Sequence, residues 1–207
     1  MAQAGNDDSN DIIKKVEKSF INTKAMSASF TQKIESKGFD AVQTFTGRMT
    51  MLKPAMMKWE YDNPKGRIMV VDGKKLWFYD PKENVARYEN LKGYLNPNSP
   101  ALFLAGEATL GELFDIVLVK PSKKGKLEVV RLKLTPKEPQ PGLKAMLLTL
   151  NNKSLEMVEL LMVDYLGNRN RIIFDDVDRS ARPAPEFFRF TPPAGVPVRS
   201  GTNPALR

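Results

Sequence analysis

From Phe30 onward apolar and polar residues alternate one by one, and turn residues interrupt the alternation at short intervals. Thr44, Thr46, Arg48 and Thr50 alternate with Phe45, Gly47, Met49 and Met51. A strand with this pattern shows one face to water and buries the other. Asp72-Gly73 joins Ile68–Val71 to Leu76–Tyr79, and Asp-Gly between two apolar runs marks a hairpin. The same rhythm predicts strands over 30–37, 42–53, around Trp59, over 84–89, 115–120, 126–134, 143–150, 154–164, 169–174 and 187–190. A meander of this length must curl, because a long twisted sheet cannot stay flat.

Two stretches break the rhythm. Ile12, Ile13, Val16 and Phe20 recur at helical spacing among lysines and glutamates, which predicts an amphipathic helix capped by Ser9 or Asn10. Residues 1–10 read as a flexible lead-in. Midway, Ser99-Pro100 opens a short helix that Gly106 closes, and Thr109-Leu110-Gly111-Glu112 has capping-box spacing. The apolar sides of these helices have one place to go, the inner surface of the curled sheet. The fold class is mainly β (α+β). It is an open, incomplete antiparallel β-barrel of about ten or eleven strands, in one domain over 1–207, with 97–114 as lid helices.

The chain has no histidine and no cysteine. That removes His-based triads, thiol nucleophiles, disulfides and the usual zinc ligand sets. Carboxylate or lysine chemistry stays open, but no catalytic constellation, phosphate loop or metal motif emerges, and no cofactor is expected. Asp175, Asp176 and Asp178 lack the spacing of a calcium loop and read as a solvated turn. The net charge is +8, spread along the chain and densest from Lys120 to Lys126, which reads as a hairpin tip. Trp77-Phe78-Tyr79 has no basic residue interleaved, so a nucleic-acid face is not expected. No apolar run is long enough to span a bilayer.

The apolar residues are more informative. The chain has ten methionines. Met49, Met51, Met56, Met57 and Met69 crowd near Trp59, Trp77, Phe78 and Tyr79. Methionine is flexible and polarizable and suits surfaces that accept varied partners. The crowd is either a pocket for greasy ligands or an ordinary core under the lid.

Four segments resemble the LolA family of periplasmic lipoprotein carriers. They are Ser27–Lys33, Gly47 through Lys53-Pro54 to Trp59, Asp72–Pro81 and Phe188–Val196, in the family's order and approximate spacing. The resemblance implies a half-barrel whose hollow shields the acyl chains of triacylated lipoproteins. It implies loading from an inner-membrane ABC transporter and delivery to an outer-membrane receptor lipoprotein, without enzymatic activity. It also implies a periplasmic location and a monomer. Ala2-Gln3-Ala4 resembles the end of an export cleavage site.

On this reading Met49, Met51, Met57, Trp59 and Trp77 line the hollow, and Pro100, Leu102, Phe103 and Leu104 belong to the lid. Many family members carry Arg where this chain has Lys53, and that Arg is held to latch the lid. Lysine keeps the charge without the planar fork, so Lys53 is expected to latch more weakly. Two other readings stay open. One is a half-barrel that binds free lipid or glycolipid, and the other is a periplasmic sensor of lipoproteins.

Overall fold

The computed structural model describes residues 4–38, 42–91, 108–119 and 128–201. Helix α1 covers Ala4–Asn22. It begins before the expected caps, so Ser9 and Asn10 lie inside it, and residues from Ala4 are helical where a flexible lead-in was expected. Twelve strands follow among the described residues: β1 Ala25–Glu35, β2 Val42–Leu52, β3 Met56–Asn63, β4 Ile68–Asp72, β5 Lys75–Asp80, β6 Val85–Asn90, β7 Phe114–Val119, β8 Val129–Pro136, β9 Ala145–Asn151, β10 Met157–Val163, β11 Arg169–Asp178 and β12 Val198–Ser200. A short helix α2, Leu110–Leu113, precedes β7. Its capping box forms as the spacing predicts: Glu112 N–H donates to Thr109 Oγ1 at 3.3 Å, and Thr109 N–H donates to a Glu112 carboxylate oxygen at 2.6 Å.

These strands belong to one sheet in the order β12-β6-β5-β4-β3-β2-β1-β11-β10-β9-β8-β7. The two edge strands, β12 and β7, do not pair with each other, so the barrel is open, as expected. The pairing of β1 with β11 joins the two halves of the chain at the sheet's centre. Each described pair is antiparallel except β12 with β6, which runs parallel.

Two expectations fail near the carboxyl end. Pro185–Phe188 is a 3-10 turn where a strand over 187–190 was expected. Proline supplies no N–H to a ladder, and four prolines among 183–193 leave little room for one. The strand β12 comes ten residues later and was not foreseen. It is three residues long and has no apolar alternation to betray it.

Strand alternation divides the sheet into an inner and an outer face. Register across the first half places Ala28, Met49, Trp59, Met69 and Phe78 in one inner row. Met26, Met51, Met57, Val71 and Leu76 form the neighbouring inner row. Val16 of α1, Leu110 and Leu113 of α2, and Leu132, Leu148 and Ile172 of the second half join Met26, Ala28, Met49, Met51 and Trp59 in the main core. Gly47 is needed for this packing. A Cβ there would lie 2.1 Å from the Glu60 carbonyl oxygen and 2.9 Å from the Phe30 ring.

The outer face of β3–β6 has its own cover. The 3-10 turn packs on β3 and β4, and Phe188 and Val70 are both fully buried. Phe190 lies 5.7 Å from the Trp77 ring and 6.1 Å from Tyr79.

Candidate functional site

The inner face of β1–β5 is a sheet surface of sulfur, aliphatic and aromatic groups. Met26, Met49, Met51 and Trp59 are buried there, with Met57 and Met69 partly so. Phe30 meets Trp59 edge-on at 4.8 Å, and Tyr61 at 5.2 Å. Ile12, Ile13, Val16 and Phe20 of α1 pack against the core that this surface shares with the second half of the sheet, with Phe20 beside Met26 and Met51; this is the stripe that the helical spacing predicts.

Polar contacts hold the carboxyl end of α1. Lys53 follows β2 at a turn, and its backbone N–H donates to Lys24 O at 2.8 Å. Its ammonium donates to Phe20 O at 2.5 Å. A helix leaves its last carbonyls short of partners, and α1 has no basic residue in its own last turn; Lys53 adds a charged donor from the sheet to Phe20 O, which also accepts from Thr23 N–H at 3.2 Å. Burial pushes the Lys53 amine below its ordinary pKa. Arg179, at the end of β11, donates to Ser19 Oγ at 3.2 Å and to the carbonyls of Ser154 and Leu155 at 3.2 and 2.5 Å. Farther back along the helix, Glu17 accepts from Gly111 N–H of α2 at 2.8 Å. Between Lys53 and Arg179 lies a cavity of about 20 Å³ lined by Phe20, Met26, Met51 and Met157. That is room for one water molecule, so beneath this turn of α1 the inner face is filled by the helix itself.

An ion pair lies among the inner-face aromatics near the end of β5. Arg67 binds Asp80 through Nε at 2.9 Å and Nη2 at 2.6 Å. Burial raises the Asp80 pKa, but hydrogen bonds from Lys82 N–H and Arg67, with the charge of Arg67, outweigh it and hold the carboxyl below its ordinary value. Burial likewise pushes the Tyr61 hydroxyl up. Glu60 binds Lys58 at 2.9 Å. Asp176 sits in the bulge of β11 at a φ of 51°. Asp178 accepts from Ser180 N–H and hydroxyl at 2.7 and 2.6 Å. Asp175, Asp176 and Asp178 therefore lie in the last part of β11 and not in a turn as expected, because the strand runs on past Phe174 to pair with β1.

Of the five expected lining residues, Met49, Met51, Met57 and Trp59 share the inner face. Trp77 does not. It pairs with Val70 and Tyr88, which places it on the outer face beneath Phe190, and its indole N–H donates to Asp72 at 3.2 Å. Phe78 takes the inner place instead. The cause is strand alternation: the hairpin after Asp72 sets Val70 opposite Trp77, so the neighbouring residues 69 and 78 share the other face. Pro100, Leu102, Phe103 and Leu104 lie outside the described residues, as does the stretch from Lys120 to Lys126. Sequence reading misses Phe30, Arg179 and the contact between Lys53 and α1. The first is legible, since Phe30 lies an even number of residues from Ala28 and Met26. The other two depend on contacts between distant segments and carry no local signal.

Three buried donor nitrogens have no acceptor among the described residues: Trp59 Nε1, Arg87 Nε and Arg179 Nε. Register puts Arg87 opposite Phe78 at the end of the Met49–Trp59 row, and Arg179 already donates through its two other nitrogens.

The comparisons agree with this architecture. The family model described as "Outer membrane lipoprotein carrier protein LolA" matches residues 21–191. An outer-membrane lipoprotein carrier protein of Chromobacterium violaceum is 33% identical over 186 residues, spanning 89% of this chain and 85% of that one. Another from Nitrosospira multiformis is 30% identical over 184 residues, spanning 88% and 86%. Among solved structures, a conserved protein of Thermus thermophilus superposes with a TM-score of 0.58 at 14% identity, covering 93% of this chain and 98% of that one. A DUF1329 family protein of Desulfovibrio piger gives 0.52 at 11%, covering 86% and 95%. At those identities the structural likeness speaks for the fold alone, whereas the family match spans most of the chain. The chain belongs to the LolA family of outer-membrane lipoprotein carrier proteins.

Proposed function

We propose that this chain is a periplasmic carrier that shields lipoprotein acyl chains against the inner face of its sheet and works without chemical catalysis. The observation that carries this reading is the apolar, Met-rich inner face, against whose core the apolar stripe of one amphipathic helix packs. Acyl chains are the natural substitute for such a helix. Each methylene removed from water contributes about 0.8 kcal/mol, and the gain is offset by exposing Ile12, Ile13, Val16 and Phe20 when α1 lifts. Loading and helix docking then compete for one surface, so binding stays reversible despite the length of the chains. The sequence relatives named as outer-membrane lipoprotein carriers support the same cargo.

On this reading Met49, Met51, Met57, Trp59 and Phe78 line the hollow, and Pro100, Leu102, Phe103 and Leu104 contribute to the lid. Lys53 is the latch, and the element it holds is α1. The cargo is a triacylated lipoprotein received from an inner-membrane ABC transporter. It passes to an outer-membrane receptor lipoprotein whose cavity is more favourable, and the carrier acts as a monomer.

The test is co-expression in a Gram-negative periplasm with a tagged triacylated lipoprotein. A soluble 1:1 complex that transfers its cargo to the receptor supports the proposal. Purified protein that holds free lipid and never the lipoprotein favours a lipid carrier. For the latch, Lys53→Leu should change the rate of lipoprotein loading or release; wild-type rates for both would remove Lys53 from the mechanism.

A further inference from the structure

We propose that the inner face selects acyl groups bearing a carbonyl, ester or amide, through a hydrogen bond from the Trp59 indole N–H. The proposal rests on the acyl-carrier reading and adds a polar requirement to it.

Trp59 is 8% exposed, and its Nε1 is enclosed with no acceptor among the described residues. Its cross-strand neighbours are Met49 and Met69, and its ring contacts are Phe30 at 4.8 Å and Phe174 at 6.2 Å. None of these side chains offers an oxygen. A buried indole N–H normally finds a partner, because one left alone forfeits the hydrogen bond it made to water. The other tryptophan obeys the rule, since Trp77 Nε1 donates to Asp72. The exception therefore lies on the face assigned to the ligand. Phenylalanine would fill much of the same apolar space without carrying an orphaned donor.

The chemistry narrows what completes the site. A charged acceptor is costly to bring onto a surface of methionine and phenylalanine. An ester or amide carbonyl is neutral, accepts well, and is bonded directly to the alkyl chain that the surface takes. Arg87 Nε is orphaned on the same row, but its guanidinium already reaches Glu83 at 3.4 Å. Trp59 has no such second use.

The experiment compares two lipids with identical alkyl chains, dipalmitoylglycerol and its dihexadecyl ether analogue, against the full chain and Trp59→Phe. Wild type should bind the ester roughly 5–10-fold more tightly, the worth of one net hydrogen bond. Trp59→Phe should bind the two alike, whatever its absolute affinity. The Trp59 indole proton resonance should move downfield with the ester and not with the ether. A second variant guards against a damaged fold: Met69→Gln offers an amide oxygen from the facing strand and should also erase the preference. Equal binding of ester and ether by wild type, or an ester preference that survives in Trp59→Phe, overturns the proposal. If wild type binds neither lipid, the acyl-carrier reading falls and this proposal falls with it.

Discussion

On the outer face of β3–β6, Trp77 donates to Asp72 at 3.2 Å, Phe190 packs against it at a tilt, and Lys58 lies 4.3 Å from the centre of the Phe187 ring. On the inner face, Trp59 donates to no described residue, four methionines surround it along β2–β4, and the cover is a helix held at its carboxyl end by Lys53 and Arg179. The strands are the same, so the difference lies in what each face is for. Rigid aromatics with paired polar groups define a single packed state. Thioethers tolerate rearrangement, and an orphaned donor leaves the unliganded state short of a hydrogen bond. On the proposed reading, the outer face fixes the sheet and the inner face stays exchangeable.

The largest test of this contrast is Phe188→Ala. Phe188, on the 3-10 turn that packs on β3 and β4, is fully buried, and emptying such a site costs about 3–5 kcal/mol. Denaturant unfolding should show that loss. If the loss stays below about 1 kcal/mol, the outer cover is loose and the contrast fails.

Next comes the ion pair among the inner-face aromatics. Asp80 is 3% exposed and receives two hydrogen bonds from Arg67. Asp80→Ala strands the guanidinium among Phe45, Tyr61 and Phe78 and should cost about 3 kcal/mol. Because the folded-state pKa of Asp80 is depressed, its contribution is complete above roughly pH 4 and fades as the pH falls through the folded value. The stability gap between wild type and Asp80→Ala, followed by denaturation from about pH 6 downward, should therefore narrow only below about pH 4. A gap that narrows at higher pH would assign the titration to another group.

Much of the contrast is written in local sequence, but not all of it. Alternation along Thr44–Met51 marks the two faces, and the Thr109–Glu112 box marks its helix start, because both are properties of neighbouring residues. Sequence reading puts Trp77 on the wrong face because an aromatic run satisfies both faces equally and only the hairpin register decides between them. The 3-10 turn at Pro185–Phe188 reads as part of a strand because Phe187-Phe188-Arg189-Phe190 is apolar without being periodic. Arg179 gives no sign at all. Its partners, Ser19 and the 154–155 carbonyls, lie 160, 25 and 24 residues away, and nothing near Arg179 in the chain encodes them.

Arg179 supplies a smaller test. It ties the last turns of α1 to the β9–β10 turn, so Arg179→Ala should cost about 1–2 kcal/mol overall. The loss should be uneven. Amide exchange should quicken in α1 near Ser19 well before it quickens in β9 or β11. Uniform acceleration would mean that α1 does not move as a separate cover, and the inner face would then be as fixed as the outer one.

The smallest expected stability effect bears most directly on the idea of an exchangeable face. Met49→Leu with Met51→Leu nearly conserves volume, and such swaps cost less than about 1.5 kcal/mol each. Leucine is branched and stiffer, however, and has fewer rotamers with which to follow an irregular ligand. Stability should hardly change while affinity for a panel of acyl probes falls unevenly, most for the bulkiest. A stability loss rivalling that of Phe188→Ala would show that the methionines are jigsaw pieces of an ordinary core. Unchanged affinity across the panel would show that thioether flexibility has no part in accepting the ligand. Either result would remove the distinction between the faces at the residues where it is drawn most sharply.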